Sequence, residues 1–426
     1  MGSEAAETAT QQTMDLYDAH VMGNYRRLPV VFVRGEGARL WDAEGREYLD
    51  FLSGIAVAGV GHAHPRVARA IAEQAATLLH VSNLYYNPLQ GELARRLNAL
   101  TGMEKAFFCN SGAEANECAI KIARKWGKQH RGPECHEIVT FHGSFHGRTM
   151  ATITATAQPK YQAPFTPLVP GFVYATVGDL AELDEAISER TCAVMIEPIQ
   201  GESGVQIVPP EFLGAIRALC DEVGCLMIVD EVQSGMGRTG KFLASQHSGV
   251  LPDIVTLAKS IAAGVPMGAC LARGDAAATL VPGDHASTFG GQYIACASAL
   301  AVLDVMEDEG LMDRAARVGS YLLAGLRSLA DEWPERVAEA RGVGLMAALQ
   351  FVAPCAGEVR AALMERGILV NAVGDRILRM LPPLVIDESD CDRVVAALRE
   401  VLATLAYGPA RPPLRRPSDR TLRWLR

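Results

Sequence analysis

The chain has 426 residues, of which 49% are hydrophobic and 21% are charged, so it is long and apolar enough for a large core and for two unequal domains. Its formal net charge of -9 gives no reason to expect a nucleic acid or an anionic membrane as a partner, and no apolar run approaches the roughly 20 residues of a membrane-spanning helix. We therefore expect a compact cytoplasmic protein.

Neither the first residues nor the cysteines indicate export from the cell. Residues 1–6 lack the apolar core of a signal peptide, and we expect them to be a lead-in without core packing. The ten cysteines are scattered in apolar segments without the paired spacing of metal ligands. This pattern is typical of small buried side chains in a reducing compartment, and it predicts no metal site.

The first part of the chain, residues 1–70, is predicted to pack with a small C-terminal domain. Two strand-like stretches lie at 30–33 and 40–41, and a glycine-rich passage at 54–61 follows them. A helix predicted over 65–79 leads out of this part.

Residues 71–310 are predicted to form the large domain, because strand-like and helix-like segments alternate there. The predicted strands cover residues 106–109, 137–141, 192–196, 225–229 and 254–258, and the predicted helices cover 113–128, 211–223 and 295–308. This alternation predicts an α/β fold with a mainly parallel, doubly wound central sheet and helices on both of its faces.

The C-terminal part is smaller and mixed in character. After a helix predicted at 314–330, an α+β segment runs from residue 343 to about residue 405, within a small domain at 311–408. Residues 409–426 are rich in arginine and proline and show no core pattern, so we predict a solvated or partner-covering tail.

Two polar residues come at the ends of short apolar runs of the predicted sheet. Asp230 ends the run LMIVD, and Lys259 follows the run IVTLA. Because the carboxyl ends of parallel strands meet at one edge of a sheet, an amine and a carboxylate are expected together there. Such a pair suits pyridoxal phosphate (PLP), whose aldehyde a lysine can hold as a Schiff base while an acid keeps the pyridine nitrogen protonated. Either residue alone is more often an ordinary strand-end or turn residue.

Further groups are predicted at the same edge of the sheet. The turn of Ser111, Gly112 and Ala113 precedes a predicted helix, so its N–H groups can receive a phosphate, although such a turn is often only a helix cap. After the next strand, Phe145 can cover one face of a flat cofactor and Arg148 can grip a carboxylate. Core packing and a surface ion pair are the ordinary alternatives for these two side chains.

Charged residues also follow or interrupt apolar strands. Glu197 and Glu202 come after the predicted strand at 192–196, where either one can simply cap a turn. Arg379 lies within the apolar run ILRML, where an unpaired charge is costly, so it is expected to bind a carboxylate. A glutamate beside a substrate-binding arginine can neutralise that arginine when the substrate has no carboxylate to offer.

These segments resemble the class III aminotransferases, which are fold-type I PLP enzymes, and most closely their acetylornithine aminotransferase branch. The resemblance runs from about residue 24 to residue 405. Its motifs are RLPV at 27–30, FFCNSGAEAN at 107–116, FHGSFHGRT at 141–149, EPIQGE at 197–202, DEVQ at 230–233 and STFGG at 287–291. Chance agreement of so many motifs in one order is not credible.

The resemblance implies roles around the cofactor ring. Lys259 would hold the cofactor covalently and, once displaced by substrate, would move a proton between substrate carbon and cofactor carbon. Asp230 would pair with the pyridine nitrogen, and Gln233 would contact the ring hydroxyl. Phe145 would stack on the ring.

The resemblance also implies how the phosphate is bound and why two subunits are needed. Gly112 and Ala113, with Ser111 before them, would bind the phosphate through backbone N–H groups. Thr288 would reach the phosphate of the neighbouring subunit, so the enzyme would be a homodimer with shared active sites.

For the substrates, the resemblance implies two arginines. Arg379 would take the α-carboxylate of glutamate or 2-oxoglutarate, and Arg148 would take the distal carboxylate. Glu202 would cover Arg379 while an ω-amino donor is bound. Ser287 matches a donor-contacting position, and Tyr25 is expected in the same substrate pocket.

One position within the family pattern bears on the donor. Ile55 stands where ornithine δ-aminotransferases typically have a tyrosine whose hydroxyl orients free ornithine, and an aliphatic side chain cannot make that hydrogen bond. Ile55 therefore favours a blocked donor such as N2-acetylornithine. The sequence departs from the family pattern after Lys259, where Ser260 and the pair Ala262–263 replace usual glycines and restrict the backbone.

The implied reaction is the transfer of the δ-amine of N2-acetylornithine to 2-oxoglutarate, a step of arginine biosynthesis. The alternative donors are N2-succinylornithine, ornithine, 4-aminobutyrate or another ω-amino compound. The acetyl and the succinyl donor are not distinguished, because both leave a carboxylate for Arg148. A non-transaminating PLP enzyme of this fold is a further alternative, which the pair of Arg379 and Glu202 argues against. The presence of both Lys259 and Asp230 argues against a non-catalytic scaffold.

Overall fold

A computed structural model describes residues 8–405 of the chain. The predicted lead-in at 1–6 and the predicted tail at 409–426 lie outside these residues. Within residues 8–405, no helix is both long enough and apolar enough to cross a membrane.

The N-terminal part combines short strands with helices. Its elements are α1 (Ala9–His20), β1 (Phe32–Glu36), β2 (Arg39–Asp42), β3 (Glu47–Asp50), α2 (Ser53–Ala56), α3 (Pro65–Thr77) and α4 (Pro88–Thr101). Strands β1, β2 and β3 pair antiparallel. The first strand begins later than the predicted residue 30, because the chain turns around Pro29, with Val30 N–H donating to Leu28 O at 2.8 Å.

The large domain is built around a seven-stranded sheet. The strands in this region are β4 (Lys105–Cys109), β5 (Glu137–Phe141), β6 (Phe172–Ala175), β7 (Thr191–Ile196), β8 (Ile199–Gln200), β9 (Gln206–Ile207), β10 (Leu226–Asp230), β11 (Ile254–Leu257) and β12 (Gly268–Ala272). The helices are α5 (Gly112–Arg131), α6 (Met150–Ala155), α7 (Pro159–Gln162), α8 (Leu180–Ala186), α9 (Pro210–Val223), α10 (Gly274–Ala278) and α11 (Tyr293–Asp308).

The sheet confirms the predicted mainly parallel α/β architecture. Its strand order is β4-β12-β11-β10-β7-β5-β6, and only β12 runs antiparallel to both of its neighbours. Strand β12 was not predicted from the sequence, because its run GACLA contains glycine and alanine, which are depleted in strands, and no β-branched residue.

Strand β7 shows directly that helices cover both faces of the sheet. Its residues Ala193 and Met195 belong to an apolar cluster with helix α5, whereas Val194 and Ile196 belong to a separate cluster with helix α9. Successive side chains of a strand point to opposite faces, so both faces are buried and the run is apolar throughout. All ten cysteines lie among the described residues and are buried and free of disulfides, as predicted.

The C-terminal part is the predicted α+β segment. It contains α12 (Leu311–Glu332), β13 (Val337–Val343), β14 (Met346–Phe351), α13 (Ala356–Glu365), β15 (Ile368–Leu369), β16 (Asn371–Val373), β17 (Ile377–Met380) and α14 (Glu388–Thr404). The order β13-β14-β17-β16 forms an antiparallel sheet that begins earlier than the predicted residue 343. Strand β15 pairs in parallel with β3, so the N-terminal strands contact this part of the chain.

Candidate active site

Adjacent strands bring Asp230 and Lys259 to one cavity. Asp230 is the last residue of β10 and lies opposite Thr256 of the parallel strand β11. The chain then turns at Lys259, whose φ of +48° is in the left-handed region. A non-glycine residue there is uncommon and occurs often at functional sites. Both side chains line a cavity of about 410 Å³ at the carboxyl edge of the sheet.

Most residues predicted for the cofactor line this cavity together. They are Ser111, Gly112, Ala113, Phe145, Asp230, Gln233 and Lys259, and Arg148 of the predicted substrate site lies among them. They come from the ends of four different strands, so their convergence is a property of the parallel sheet.

Buried polar groups hold the Asp230 carboxylate in place. Its Oδ2 accepts hydrogen bonds from Asn116 Nδ2 at 2.7 Å and pairs with His146 Nδ1 at 2.8 Å, and its Oδ1 accepts from Val232 N–H at 2.9 Å. Thr256 Oγ1 in turn donates to Asn116 Oδ1 at 2.7 Å. These contacts fix one orientation of the carboxylate at the cavity wall.

The roles of Asn116 and His146 as partners of Asp230 were not predicted from the sequence. Asn116 lies one helical turn after Gly112 on α5, so it faces the same cavity. The signal available in the sequence was a polar residue on the apolar face of α5. In the structure Asn116 is 1% exposed, and a buried amide needs hydrogen-bond partners.

The cavity alters the protonation of Lys259. Burial lowers the pKa of the Lys259 amine to about 8, although the negative charge of Glu202 opposes this shift. An amine with a pKa near 8 is partly unprotonated at neutral pH, and the unprotonated form is the nucleophile and the base.

Glu197 is the second carboxyl group beside Lys259. Burial raises the pKa of Glu197 well above its usual value, and the charge of Asp230 raises it further. Its Oε2 accepts from Phe145 N–H at 2.8 Å. Glu197 is therefore harder to ionise than a carboxyl group in water, and it fixes the backbone that carries the Phe145 ring.

Arg379 lies buried behind Gln233 and is paired with Glu202. Arg379 is 1% exposed, and its Nη1 donates to Glu202 Oε1 at 2.6 Å, to Gln233 Oε1 at 3.1 Å and to the carbonyl of Gly201 at 3.0 Å. Its Nη2 donates to Asn371 Oδ1 at 2.9 Å. The sequence predicted that this arginine binds a carboxylate, and Glu202 supplies it.

The charges of this pair explain the protonation of Glu202. Burial by itself raises the pKa of Glu202, but the charge and the hydrogen bond of Arg379 outweigh burial, so the pKa is lowered. Glu202 is thus an ionised carboxylate that pairs with the buried guanidinium of Arg379. Gln233 Nε2 also donates to Glu202 Oε1 at 3.3 Å, so both ends of the Gln233 amide are directed at the pair.

Arg148 occupies the open side of the cavity. Its guanidinium lies 3.9 Å from the ring centre of Tyr161 and 5.2 Å from that of Phe145. Among residues 8–405, no carboxylate forms an ion pair with Arg148, which removes the surface ion pair as an explanation for it. The aromatic rings orient a cation that is free to bind an anion.

The remaining predicted residues do not line the cavity. Ser287 accepts a hydrogen bond at its Oγ from Asn110, which is at the cavity wall. Thr288 is exposed and lines a second, smaller pocket together with residues 80–83. Tyr25 is 70% exposed and contacts Arg27. Ile55 is partly exposed, two residues from the lining residue 57.

Known proteins resemble the chain over most of its length. The family model for class III aminotransferases matches residues 21–402. The chain belongs to this family. The acetylornithine aminotransferase of Gloeobacter violaceus is 50% identical over 389 residues, which cover 91% of this chain and 97% of that protein. That of Methanocaldococcus jannaschii is 45% identical and covers 92% of this chain and 98% of that protein.

Solved structures of class III enzymes have the same fold. The ornithine aminotransferase of Toxoplasma gondii is 36% identical, has a TM-score of 0.90 and covers 93% of this chain and 97% of that chain. The acetylornithine aminotransferase of Elizabethkingia anophelis is 35% identical, has a TM-score of 0.83 and covers 93% of this chain and 99% of that chain. The predicted family, fold class and enzyme class are confirmed: this is a PLP-dependent aminotransferase of fold type I.

The cavity of this class III aminotransferase fits the cofactor. At Gly112 an added Cβ would lie 2.7 Å from Val232 Cγ1, so only glycine allows the start of α5 to approach so closely. The Ser111 hydroxyl caps this helix by accepting from Glu114 N–H at 3.2 Å. The N–H groups of Gly112 and Ala113 precede that bond at the positive end of the helix, where a phosphate is stabilised.

The remaining residues of the aminotransferase cavity match the other parts of the cofactor. Bound PLP supplies an aldehyde that reacts with amines and a ring that withdraws electrons. Lys259 would hold the aldehyde carbon through Nζ and later carry a proton on the same nitrogen. Asp230 would hold a proton on the ring nitrogen, and Phe145 would cover one ring face. Among the described residues, no group of three or more His, Cys, Asp or Glu side chains could hold a metal ion.

Proposed function

We propose that this aminotransferase moves the δ-amine of N2-acetyl-L-ornithine to 2-oxoglutarate, which gives N-acetyl-L-glutamate 5-semialdehyde and L-glutamate in arginine biosynthesis. The observation that carries the proposal is the arrangement of the two arginines. Glu202 covers Arg379 at 2.6 Å, whereas Arg148 has no carboxylate partner among the described residues. Relatives that are 44–50% identical to this chain are acetylornithine aminotransferases, which supports the same donor.

The arrangement suits a donor that enters with its amine first. The terminal amine of such a donor approaches Lys259 while its only carboxylate reaches Arg148 at the open side. Glu202 then stays on Arg379, and no cation is left buried without a partner. A free ornithine would bring a second amine toward this end, and the aliphatic Ile55 has no group to accept it.

The arrangement also suits 2-oxoglutarate in the second half of the cycle. This acceptor carries two carboxylates, one for Arg148 and one for Arg379. Displacing Glu202 exchanges one carboxylate for another beside the same buried cation, so the charge of the site is preserved. One cavity can therefore accept a monocarboxylate donor and a dicarboxylate acceptor in turn.

Half-reactions with single donors test the proposed function. The purified enzyme, loaded with PLP and kept free of keto acid, is mixed separately with N2-acetylornithine, N2-succinylornithine, ornithine and 4-aminobutyrate. We expect N2-acetylornithine to remove the visible absorbance fastest, with free ornithine at least about tenfold slower in kcat/KM, because an unmatched buried polar group costs one hydrogen bond or more. A faster reaction of another donor would reassign the substrate. Absorbance that no donor changes would contradict transamination.

We also infer that the enzyme is a cytoplasmic homodimer. Exposed apolar side chains cluster beside Thr288: Leu84, Tyr85, Tyr86 and Phe289 are each more than half exposed. Asn83 joins the two segments by donating to the carbonyls of Ser287 and Gly290. An exposed apolar patch of this kind is typical of a subunit interface, and buried cysteines outside disulfides suit a reducing compartment.

Sedimentation tests the inferred dimer. We expect a mass of about twice the 45.6 kDa of the chain, and we expect Tyr86→Asp to shift the mass to that of one chain, because a charge at the centre of an apolar interface is costly. The matched control is Leu180→Asp, an exposed leucine at the start of α8, where an acid is favourable. A single-chain mass for the unaltered enzyme would refute the dimer.

A further inference from the structure

Four consecutive residues beside the cofactor lysine have left-handed backbone. Their φ angles are +48° at Ser53, +64° at Gly54, +64° at Ile55 and +63° at Ala56. Three of the four carry a Cβ, and a β-branched residue such as Ile55 rarely adopts this conformation. These residues are those of α2, which is a single left-handed turn and not a right-handed helix, and we call residues 53–56 the left-handed turn. Backbone of this kind persists only where surrounding contacts hold it.

The start of the left-handed turn is anchored by strand ends. Asp50 Oδ1 accepts from Ser53 N–H at 2.8 Å, and Ser53 Oγ donates to the carbonyl of Leu381 at 2.6 Å. The carbonyl of Ser53 then accepts from the N–H groups of Val57 and Ala58 at 2.8 and 2.9 Å. These bonds fix the entry to the turn and leave its last carbonyl, at Ala56, to be held from elsewhere.

Ser260 holds the end of the left-handed turn. Its Oγ donates to the carbonyl of Ala56 at 2.5 Å, and both residues are buried. Ser260 directly follows Lys259 in the short 3₁₀ turn at Lys259–Ala262. The hydroxyl therefore links the turn that carries Ile55 to the segment that carries the cofactor lysine. Val57, the next residue of the chain, lines the cavity.

The backbone at Gly59 lies close to the Ser260 side chain. A Cβ added at Gly59 would lie 2.9 Å from Ser260 Oγ and 3.0 Å from its Cβ. Gly59 has no left-handed φ among the described backbone angles, so the space beside Ser260, and not backbone conformation, is what requires a glycine there.

We propose that Ser260 is a positioning residue, which holds the left-handed turn so that Val57, the residue directly after the turn, keeps its place in the cavity wall where the donor binds. Breaking its bond to Ala56 loosens the end of a strained segment, where only the bond from Ala56 N–H to the carbonyl of Leu52 at 3.0 Å remains on that residue. The donor loses a preformed wall, while Asp230 keeps its bonds to Asn116 and Val232, and the start of α5 keeps its cap at Ser111. The effect therefore falls on donor binding more than on proton transfer. The kinetic test of this proposal, a change in KM, rests on the proposed donor, whereas the test by hydrogen exchange does not.

The test compares Ser260→Ala with a matched control, Ser298→Ala. Ser298 on α11 is also buried and donates its Oγ to the carbonyl of Ala262, in the same 3₁₀ turn, at 2.9 Å. It does not bond the left-handed turn. For Ser260→Ala we expect the KM for N2-acetylornithine to rise about three- to tenfold, the worth of one hydrogen bond, with kcat and the KM for 2-oxoglutarate within about twofold. Ser298→Ala should leave all three values unchanged.

Hydrogen exchange provides the readout that is independent of catalysis. In the cofactor-free protein, the amides of Val57 and Ala58 should exchange at least about threefold faster in Ser260→Ala than in Ser298→Ala, because opening the turn exposes their bonds to Ser53. Gly59→Ala, which displaces the hydroxyl while keeping Ser260, should give the same shift. Unchanged exchange in both variants overturns the proposal. Faster exchange with an unchanged KM for every donor also overturns it, whereas a shift confined to a different donor retains the positioning role and refutes only the proposed substrate.

Discussion

Lys259→Ala is expected to lower kcat by roughly 10³–10⁴-fold, the upper part of what a positioned general acid–base contributes. Lys259 is the only lysine that lines the cavity among the described residues. Its amine, with a pKa lowered to about 8 by burial, would both hold the cofactor and carry the proton, so no neighbour can replace it. Stopped-flow measurement of the N2-acetylornithine half-reaction isolates this loss from product release.

A small primary amine added to Lys259→Ala is the control for this prediction. The alanine leaves room at the cavity wall, and methylamine can enter it and act as a proton carrier. We expect part of the lost rate to return in proportion to the concentration of the unprotonated amine, at an unchanged melting temperature. Full turnover without added amine would show that Lys259 is not the catalytic base.

Asp230→Asn is expected to lower kcat by roughly 10²–10³-fold, the cost of removing one preorganised electrostatic group from an active site. Asparagine keeps the shape of the side chain but not its charge, so a proton on the ring nitrogen is no longer stabilised. One of its amide hydrogens would also face the donors of Asn116 or His146, which now bond Oδ2. Single-turnover kinetics at saturating PLP separates the lost rate from weaker cofactor binding.

Glu231→Gln is the matched control for Asp230→Asn. Glu231 is the adjacent carboxyl group and is equally buried, but it accepts from Ser234 Oγ and from the N–H groups of Ala244 and Ser245 and does not line the cavity. Burial raises its pKa, and Glu231→Gln removes a buried carboxyl group with the same kind of hydrogen bonds without changing the cavity wall. We expect kcat within about twofold. An equal loss in both variants would attribute the effect of Asp230→Asn to the fold instead of the ring nitrogen.

The pair of Arg379 and Glu202 shows how far the sequence could predict the site. An arginine within an apolar strand predicted a carboxylate partner, because an unpaired buried charge is costly. The sequence could not give the partner's distance or its protonation, since Glu202 and Arg379 are far apart in the chain and meet only when β17 packs beside the turn between β8 and β9. The lowered pKa of Glu202 follows from that meeting.

Ser260, Asn116 and His146 were not predicted from the sequence for a related physical reason. Ser260 bonds the left-handed turn, and Asn116 and His146 bond the Asp230 carboxylate, each from a segment distant in sequence. Side chains such as serine and asparagine have many ordinary roles in caps and turns. Their chain positions therefore do not indicate a role that exists only in three dimensions.

The sequence by itself determined the architecture and the reacting groups. Alternating apolar segments gave the parallel α/β sheet, because periodicity and strand ends are local properties, and Lys259 and Asp230 at two strand ends indicated PLP. The tertiary structure alone decided which carboxyl groups have a raised or a lowered pKa, that Glu202 covers Arg379 while Arg148 stays open, and that Ser260 holds the left-handed turn. These features depend on burial and on distances between remote segments, which local sequence patterns do not encode.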